Sequence, residues 1–467
     1  MSSSHTPSQP SAGHAIGRRR FLALAAAGAA GLFARRLGAA EAPPRPRKPN
    51  VLVIISDDQG YADAGFHGCK DIPTPNIDSL ARNGINFTSG YVSCPVCSPT
   101  RAGVNTGRYQ QRFGHEFNTG PTPGDDVGLP LTEVTFASLM KAAGYATGAV
   151  GKWHLGAAPK FHPLQRGFDE FFGFLGGAHP YLQAGRTILR GTAPADEKDY
   201  LTDAFGREAV AFIERHKAEP FFLYLTFNAV HTPLQAIQKY LDRFPDIPNP
   251  RRRTYAAMLS AMDDNIGLVL RKLREAGLED DTLIFFFSDN GGPPQANASR
   301  NDPLRGSKGT VWEGGIRVPF VIQWKGQLPA GKVYDQPVIS LDVLPTAVAA
   351  AGGRVPTDRT IDGVDLMPYL KGEKAGPPHE TLFWRFGRQS AIRKGNWKVG
   401  WFADQPPQLY DLAADISETT DLAARKPEVV KELTALYEKW NAELAEPLWG
   451  GRQRAARPAK KKARNRP

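Results

Sequence analysis

Cysteine is scarce in this chain: three in 467 residues, at positions 69, 94 and 97. Three thiols cannot all pair within one chain, so a disulfide-stapled scaffold is excluded and at least one cysteine is left over. No His-rich or thiolate-rich zinc spacing is present either. The apolar stretch from Phe21 to Ala34 is too short to cross a bilayer as a helix. Excess charge of one sign is missing from the body of the chain. The formal total is +11, but residues 1–48 carry +7 and residues 451–467 carry +8, which leaves −4 on residues 49–450. A mildly acidic body with basic ends argues against a specific nucleic-acid binder.

The two ends read as appendages. Residues 1–42 hold Arg18 and Arg19, then Phe21 and Leu22, an Ala-rich run, and small residues at Ala40 and Ala42. This resembles a twin-arginine export signal, removed after transport of an already folded protein. It predicts an exported protein, periplasmic or extracellular, that meets the export machinery and has no stable membrane insertion once the signal is gone. A Pro-rich linker at 43–49 follows, and the basic tail at 451–467 has the composition of a disordered segment.

Between the ends, short apolar runs alternate with helical patterns. "NVLVIIS", "PFFLYLTF", "DTLIFFFS" and "VPFVIQW" are each apolar on both faces, as strands buried inside a parallel or mixed sheet must be. Met258, Met262, Ile266, Leu270 and Leu273 form one helical stripe that stops at Gly277. The alternation predicts an α/β domain over 50–370, a large mixed, mostly parallel sheet with helices on both faces. From 380 to 450 the texture changes to short strands with Gly and Asn turns and a last helix, which predicts a small antiparallel-sheet-and-helix domain.

In open α/β sheets, ligands bind beyond the carboxyl ends of the strands. Asp57 and Asp58 follow the first run; Asp289 and Asn290 follow the third. Three carboxylates and an amide converging on one crevice need a cation, and hard oxygen donors suit Ca²⁺, with Mg²⁺ as the alternative. Asp263-Asp264-Asn265 looks similar but lies mid-helix, where successive side chains diverge. Lys152, His154, His231 and Lys308 lie at other strand ends or in a Gly-rich loop, with Lys152 and His154 facing the same way if the chain stays extended. Cationic groups around a dication imply an anion between them, such as a sulfate or phosphate ester. Cys97 opens a segment, "CSPTR", in which a helix N-terminus and Arg101 would make an electropositive nest. A thiolate would be activated there. Yet a soft thiolate is a poor match for a hard cation, and the site calls for an oxygen nucleophile.

Cys97-Ser98-Pro99-Thr100-Arg101 resembles the Cys-x-Pro-x-Arg signature of the type I, formylglycine-dependent sulfatases of the alkaline-phosphatase superfamily. "SDDQG", "TPNIDSLARNG", "TGR", "GKWHLG", "SDNGG" and "GSKGTVWEGGIRVP" are similar to further blocks of that family, in order, across about residues 49–450. Thr100 is a mild departure, where the family more often has Ser or Ala. The resemblance implies a Cα-formylglycine made from Cys97 by a formylglycine-generating maturase, and Ca²⁺ on Asp57, Asp58, Asp289, Asn290 and the modified residue 97. It implies that Arg101 steadies the aldehyde hydrate, Lys152 and Lys308 bind sulfate oxygens, His231 protonates the leaving group and His154 takes a proton to release sulfate. The expected substrate is a sulfate ester, of a glycan or an aryl alcohol. A phosphate or phosphonate monoesterase of the same superfamily is the alternative, and a thiol-redox or anion-binding protein a remote one. A bridge between Cys69 and Cys94 is a further expectation, pinning the loop before Cys97.

Overall fold

The computed structural model describes Ser3 and residues 48–120, 126–182 and 185–450; the side chain of Arg186 is outside that description. Apart from Ser3, the expected export signal at 1–42 lies outside the described residues, as do most of the linker at 43–49 and the basic tail at 451–467. Numbered in chain order, the strands of the large sheet are β1 (Asn50–Ser56), β2 (Ile85–Phe87), β4 (Ala146–Lys152), β5 (Glu170–Phe174), β6 (Gly185–Arg190), β7 (Ala193–Glu197), β8 (Phe221–Thr226), β9 (Thr282–Ser288), β10 (Phe320–Gln323) and β11 (Lys332–Tyr334). β3 (Gly90–Tyr91) and β12 (Val338–Ile339) pair apart from it.

The order across the large sheet is β11-β2-β10-β9-β1-β8-β4-β5-β6-β7. The central five, β9-β1-β8-β4-β5, run parallel, and antiparallel pairs appear toward both edges. β1 lies in the middle and shows why its sequence is apolar throughout. Leu52 and Ile54 pack into one layer, with Met258, Met262 and Ile266 of helix Pro250–Glu275 and Phe205 and Phe212 of helix Leu201–His216. Val51, Val53 and Ile55 pack into the opposite layer, with Ala102 and Val104 of helix Cys97–Thr106 and Val343 and Leu344 of helix Val343–Ala350. Alternate residues of one strand serve both layers because side chains alternate across the pleat. Each fully buried Val, Leu, Ile or Phe contributes about 1.5–3 kcal/mol of transfer free energy.

β13 (Thr381–Phe386), β14 (Gln389–Lys394), β15 (Trp397–Phe402) and β16 (Gln408–Asp411) form a separate antiparallel sheet. Ile392, Val399 and Leu409 pack against Leu433 of helix Pro427–Asn441. Trp384, Ala391 and Phe402 pack with Tyr91, Tyr109, Val311 and Ile316, which come from the region of the large sheet. The C-terminal sheet is thus fastened over the loop that precedes β10.

The expected Cys69–Cys94 bridge is not formed; all three cysteines are free thiols. Cys69 packs against the layer of helix Pro250–Glu275, and its Sγ donates to Asp71 Oδ1 at 3.3 Å. Cys94 is buried in the turn ahead of Cys97, where its carbonyl accepts from Thr100 Oγ1 at 2.8 Å. That bond from the Thr100 hydroxyl to the Cys94 backbone holds the turn in place of the expected bridge.

Candidate active site

Neighbouring parallel strands deliver the acidic groups. β1 and β9 are in register from Asn50 opposite Thr282 to Ser56 opposite Ser288, so Asp57-Asp58 and Asp289-Asn290 leave the sheet side by side. Backbone bonds from Asp289 N to Ser56 O (3.0 Å) and from Asp57 N to Ala229 O (2.9 Å) extend the ladder past the strands. Asp58 has φ 63°, uncommon for a residue with a Cβ. Its Oδ1 accepts from Asn290 Nδ2 at 2.7 Å. Asp57, Asp58, Asp289 and Asn290 are all buried.

The basic side chains arrive from four other places in the chain. Lys152 is the last residue of β4, and its Nζ lies 2.6 Å from Asp57 Oδ2. Its carbonyl accepts from Thr226 Oγ1 of β8 (2.6 Å) and from Arg101 Nη1 (2.9 Å). Arg101, one turn into helix Cys97–Thr106, places Nε and Nη2 on Asp289 Oδ2 at 2.9 and 2.8 Å. Lys308 Nζ is 2.7 Å from Asp58 Oδ1 and 3.4 Å from Cys97 Sγ. His231 Nε2 is 3.6 Å from Asp58 Oδ2, with Nδ1 2.6 Å from the Thr232 carbonyl oxygen. Cys97 Sγ, 3.5 Å from Asp57 Oδ1, sits inside this ring. Ligand atoms of Asp57, Asp58, Cys97 and His231 all lie within 4.8 Å of one another. All the residues singled out as ligands or catalytic groups lie in or beside this cluster.

Two sequence-level details are corrected by the geometry. The chain is not extended past Lys152: His154 has φ 59°, and its ring lies against Gly177, where a Cβ would come within 2.5 Å of Nε2. Lys152 therefore reaches Asp57, while His154 approaches the site by a left-handed turn. The thiol of Cys97 is also not activated. Burial, then the carboxylates of Asp289 and Asp57, push it up to about 12 against the opposing charge of Lys152 and Lys308. Arg101 is committed to Asp289, so the expected electropositive nest is overridden by carboxylates that the local motif does not contain. Burial and the neighbouring cations Lys152, Arg101 and Lys308 hold His154 well below the usual histidine range, so its imidazole is neutral at pH 7. Lys308 goes the other way: burial opposes its charge, but Cys97, Asp58, Asp57 and Asp289 outweigh that and raise its pKa well above the usual value.

The residues fit a hard divalent cation. Asn290 Oδ1 is buried with no hydrogen-bond partner among the described residues, and its neighbours are carboxylates. An orphaned amide oxygen beside three acids is a donor set for Ca²⁺ or Mg²⁺. Three carboxylates and three cations cancel, so a dication would leave the cluster at about +2, a net charge that suits an anion. Solvent access is uneven: Arg101 and Lys152 side chains are 0 % exposed, whereas those of His231 and Lys308 are 17 and 18 % exposed. The cluster is therefore more open on the side of these two residues.

Sequence reasoning missed the supports behind the ring. Ser98 Oγ donates to the His154 carbonyl (2.6 Å) and meets His115 Nε2 (2.7 Å), while Ser98 N donates to Asn118 Oδ1 (3.0 Å). Ser98 was visible inside the motif; His115, 17 positions on, carries no spacing signal. The Asp263-Asp264-Asn265 triplet disperses as its helix position required. Asp263 accepts from Asn76 N and Ile77 N at the start of helix Pro75–Asn83, Asp264 pairs with Arg243, and Asn265 donates to Asp203.

Comparison with known proteins gives the family. A family model described as Sulfatase matches residues 49–353. Mouse arylsulfatase J is 33% identical, covering 84% of this chain and 76% of the relative. Dog N-acetylgalactosamine-6-sulfatase is 35% identical, over 82% of this chain and 76% of the relative. The solved structure of Ps i-CgsB in complex with k-i-k-neocarrahexaose superposes with a TM-score of 0.83 at 38% identity, covering 88% of this chain and 96% of that one. The phosphonate monoester hydrolase of Agrobacterium radiobacter shares the fold, with a TM-score of 0.64 at 22% identity. The chain belongs to the sulfatase family, within the alkaline-phosphatase superfamily. Its activity is sulfuric ester hydrolysis.

Proposed function

We propose that this enzyme desulfates a sulfated carbohydrate, using an oxygen nucleophile made from Cys97 in a Ca²⁺-dependent site. The observation that carries the reading is the position of Cys97, enclosed by Asp57, Lys308 and the other ligand atoms while its own thiol is held neutral. An aldehyde at this position would supply, as its hydrate, the oxygen nucleophile and a means of releasing sulfate afterwards. A cation held by Asp57, Asp58, Asp289, Asn290 and residue 97, Ca²⁺ with Mg²⁺ as the alternative, would lower the cost of forming an oxyanion there.

The chain's own residues do the rest. Arg101, locked on Asp289, orients residue 97 from one turn along its helix. Lys152 and Lys308 bind the sulfate oxygens and offset charge gained in the transition state. His231, at the exposed rim, protonates the departing alcohol oxygen. His154, held neutral, accepts the proton that must leave residue 97 as sulfate is expelled. Carbohydrate is preferred over a simple aryl substrate because the relatives include an N-acetylgalactosamine-6-sulfatase and a protein crystallised with a neocarrahexaose. We further propose maturation before export, in keeping with the twin-arginine pattern at Arg18 and Arg19.

The test is mass spectrometry of the peptide ending at Arg101 from active enzyme, alongside a panel of sulfated mono- and oligosaccharides, an aryl sulfate and an aryl phosphate. The expected result is the aldehyde at Cys97 and preferential release of sulfate from a glycan. Full activity with an intact thiol refutes the nucleophile; a preference for the phosphate ester refutes the substrate class.

A further inference from the structure

We propose that Gln389, at the start of β14 in the C-terminal sheet, is a positioning residue for Lys308, acting on sulfate binding through the loop peptide at Gly309. The proposal rests on the sulfate-binding role given to Lys308 above. Lys308 reaches Asp58 and Cys97 from the loop between Arg305 and Glu313, which contains two glycines at positive φ, Gly306 (82°) and Gly309 (83°). Such a loop has many accessible backbone states and needs external contacts to hold one of them.

The contacts come from three directions. Lys308 N donates to Gly292 O (3.3 Å), just past the ligand Asn290, and Gly309 N donates to Pro95 O (2.8 Å), just before Cys97. The third is the side-chain amide of Gln389. Its Nε2 donates to Gly309 O (3.0 Å) and its Oε1 accepts from Val311 N (3.3 Å), bridging the loop immediately after Lys308. The flanks of the loop are held by the same sheet and by the segment that follows it. Arg305 Nη1 donates to Glu418 O (2.7 Å) and its guanidinium lies 3.8 Å from the Trp312 ring, which stacks on Phe402 at 3.7 Å. Of these contacts, the one from the Gln389 amide lands closest to Lys308, on the adjacent residue Gly309. Gln389 is half-buried and touches no catalytic group itself, so its effect must travel through the loop.

The test uses the matured, metal-loaded full chain, with inorganic sulfate as competitive inhibitor and an aryl sulfate as substrate. Gln389→Ala is expected to raise both the inhibition constant for sulfate and KM by about fivefold to tenfold, as loss of two hydrogen bonds implies, with Tm nearly unchanged. Gln389→Glu, which keeps the acceptor for Val311 N, should fall between. Leu409→Ala, in the far layer of the same sheet, should lower Tm and leave the sulfate constant alone. In Lys308→Ala, adding Gln389→Ala should have no further effect on sulfate binding. An unchanged sulfate constant in Gln389→Ala, or an equal rise in Leu409→Ala, overturns the proposal. If Lys308→Ala weakens sulfate binding and Gln389→Ala does not, the positioning role fails while the role of Lys308 stands. If Lys308→Ala leaves sulfate binding unmoved, the role assigned to Lys308 itself fails.

Discussion

At Lys308 the loop enters one buried cluster of charge, with Asp57, Asp58, Asp289, Arg101 and Lys152; at Glu313, a few residues on, it enters another, with Lys398, Arg317, Arg393 and Glu418. Both clusters mix carboxylates with lysine and arginine, and the outcome differs. In the second cluster Glu313 Oε1 meets Lys398 (2.9 Å), and Oε2 meets Tyr91 OH (2.6 Å) and Arg317 (3.3 Å); Glu418 meets Lys398 (2.8 Å) and the Glu313 amide (2.8 Å). Lys398, Arg317 and Arg393 overcome burial and hold Glu313 below the usual carboxylate range, while burial keeps Glu418 above it. In the first cluster Asn290 Oδ1 and His154 Nδ1 remain buried without a partner among the described residues. In the second cluster Glu418 Oε1 also accepts no hydrogen bond, but it is ion-paired with Lys398 at 2.8 Å. Leftover polar capacity without a counter-charge marks the place for a ligand, and charge paired with charge marks a structural joint.

Four measurements would break or sharpen that contrast. Breaking the joint should cost most in stability: Lys398→Met leaves buried Glu418 without its cationic partner and Glu313 with the arginines only, and urea unfolding should show a loss of about 3–5 kcal/mol. Adding Glu418→Gln to that variant should recover part of it. Removing the leftover capacity should instead cost activity. Asn290→Ala is expected to lower kcat/KM by about 10²–10³ and to reduce bound metal in elemental analysis, with little change in the Tm of chelated protein. An equal Tm loss in both variants would erase the distinction between the clusters.

A pH series probes the border of the first cluster. Burial lowers the pKa of His115 to about 3. Between that value and the ordinary histidine range near 6.5, the unfolded chain binds a proton that the folded chain does not. The stability is therefore fully present above about pH 6.5 and declines as pH falls, by up to about 1.4 kcal/mol per unit. Tm measured from about pH 7 to pH 4.5 should fall, and His115→Asn should flatten the curve. The smallest effect is expected at Asp263, a helix cap rather than a ligand. Asp263→Ala should cost about 1–2 kcal/mol in urea unfolding and leave metal content and kcat/KM as they were.

The central strands were legible because a strand buried on both faces must be apolar throughout, as "VLVIIS" and "LIFFFS" are. The acids at their ends were legible because strand ends in such sheets face the ligand, and the C-terminal strands because of their turns. His115, Gln389, Lys398 and Glu418 were not, since each works through a partner distant in the chain and no local period reports such a contact. The order of charges along the chain likewise could not foretell the state of Cys97. A motif read alone places it at a helix N-terminus beside an arginine, which favours a thiolate. The sheet register brings Asp57 and Asp289 around the same atom and consumes that arginine.

Sequence by itself therefore determined the sheet and the cluster of hard oxygen donors at its strand ends, because these follow from periodicity and residue chemistry. The tertiary structure decided which charge neutralises which, that Cys69 and Cys94 stay apart as free thiols, and that the C-terminal sheet grips the Lys308 loop. Those outcomes depend on distances between residues far apart in the chain and on burial, which sets how strongly each charge is felt.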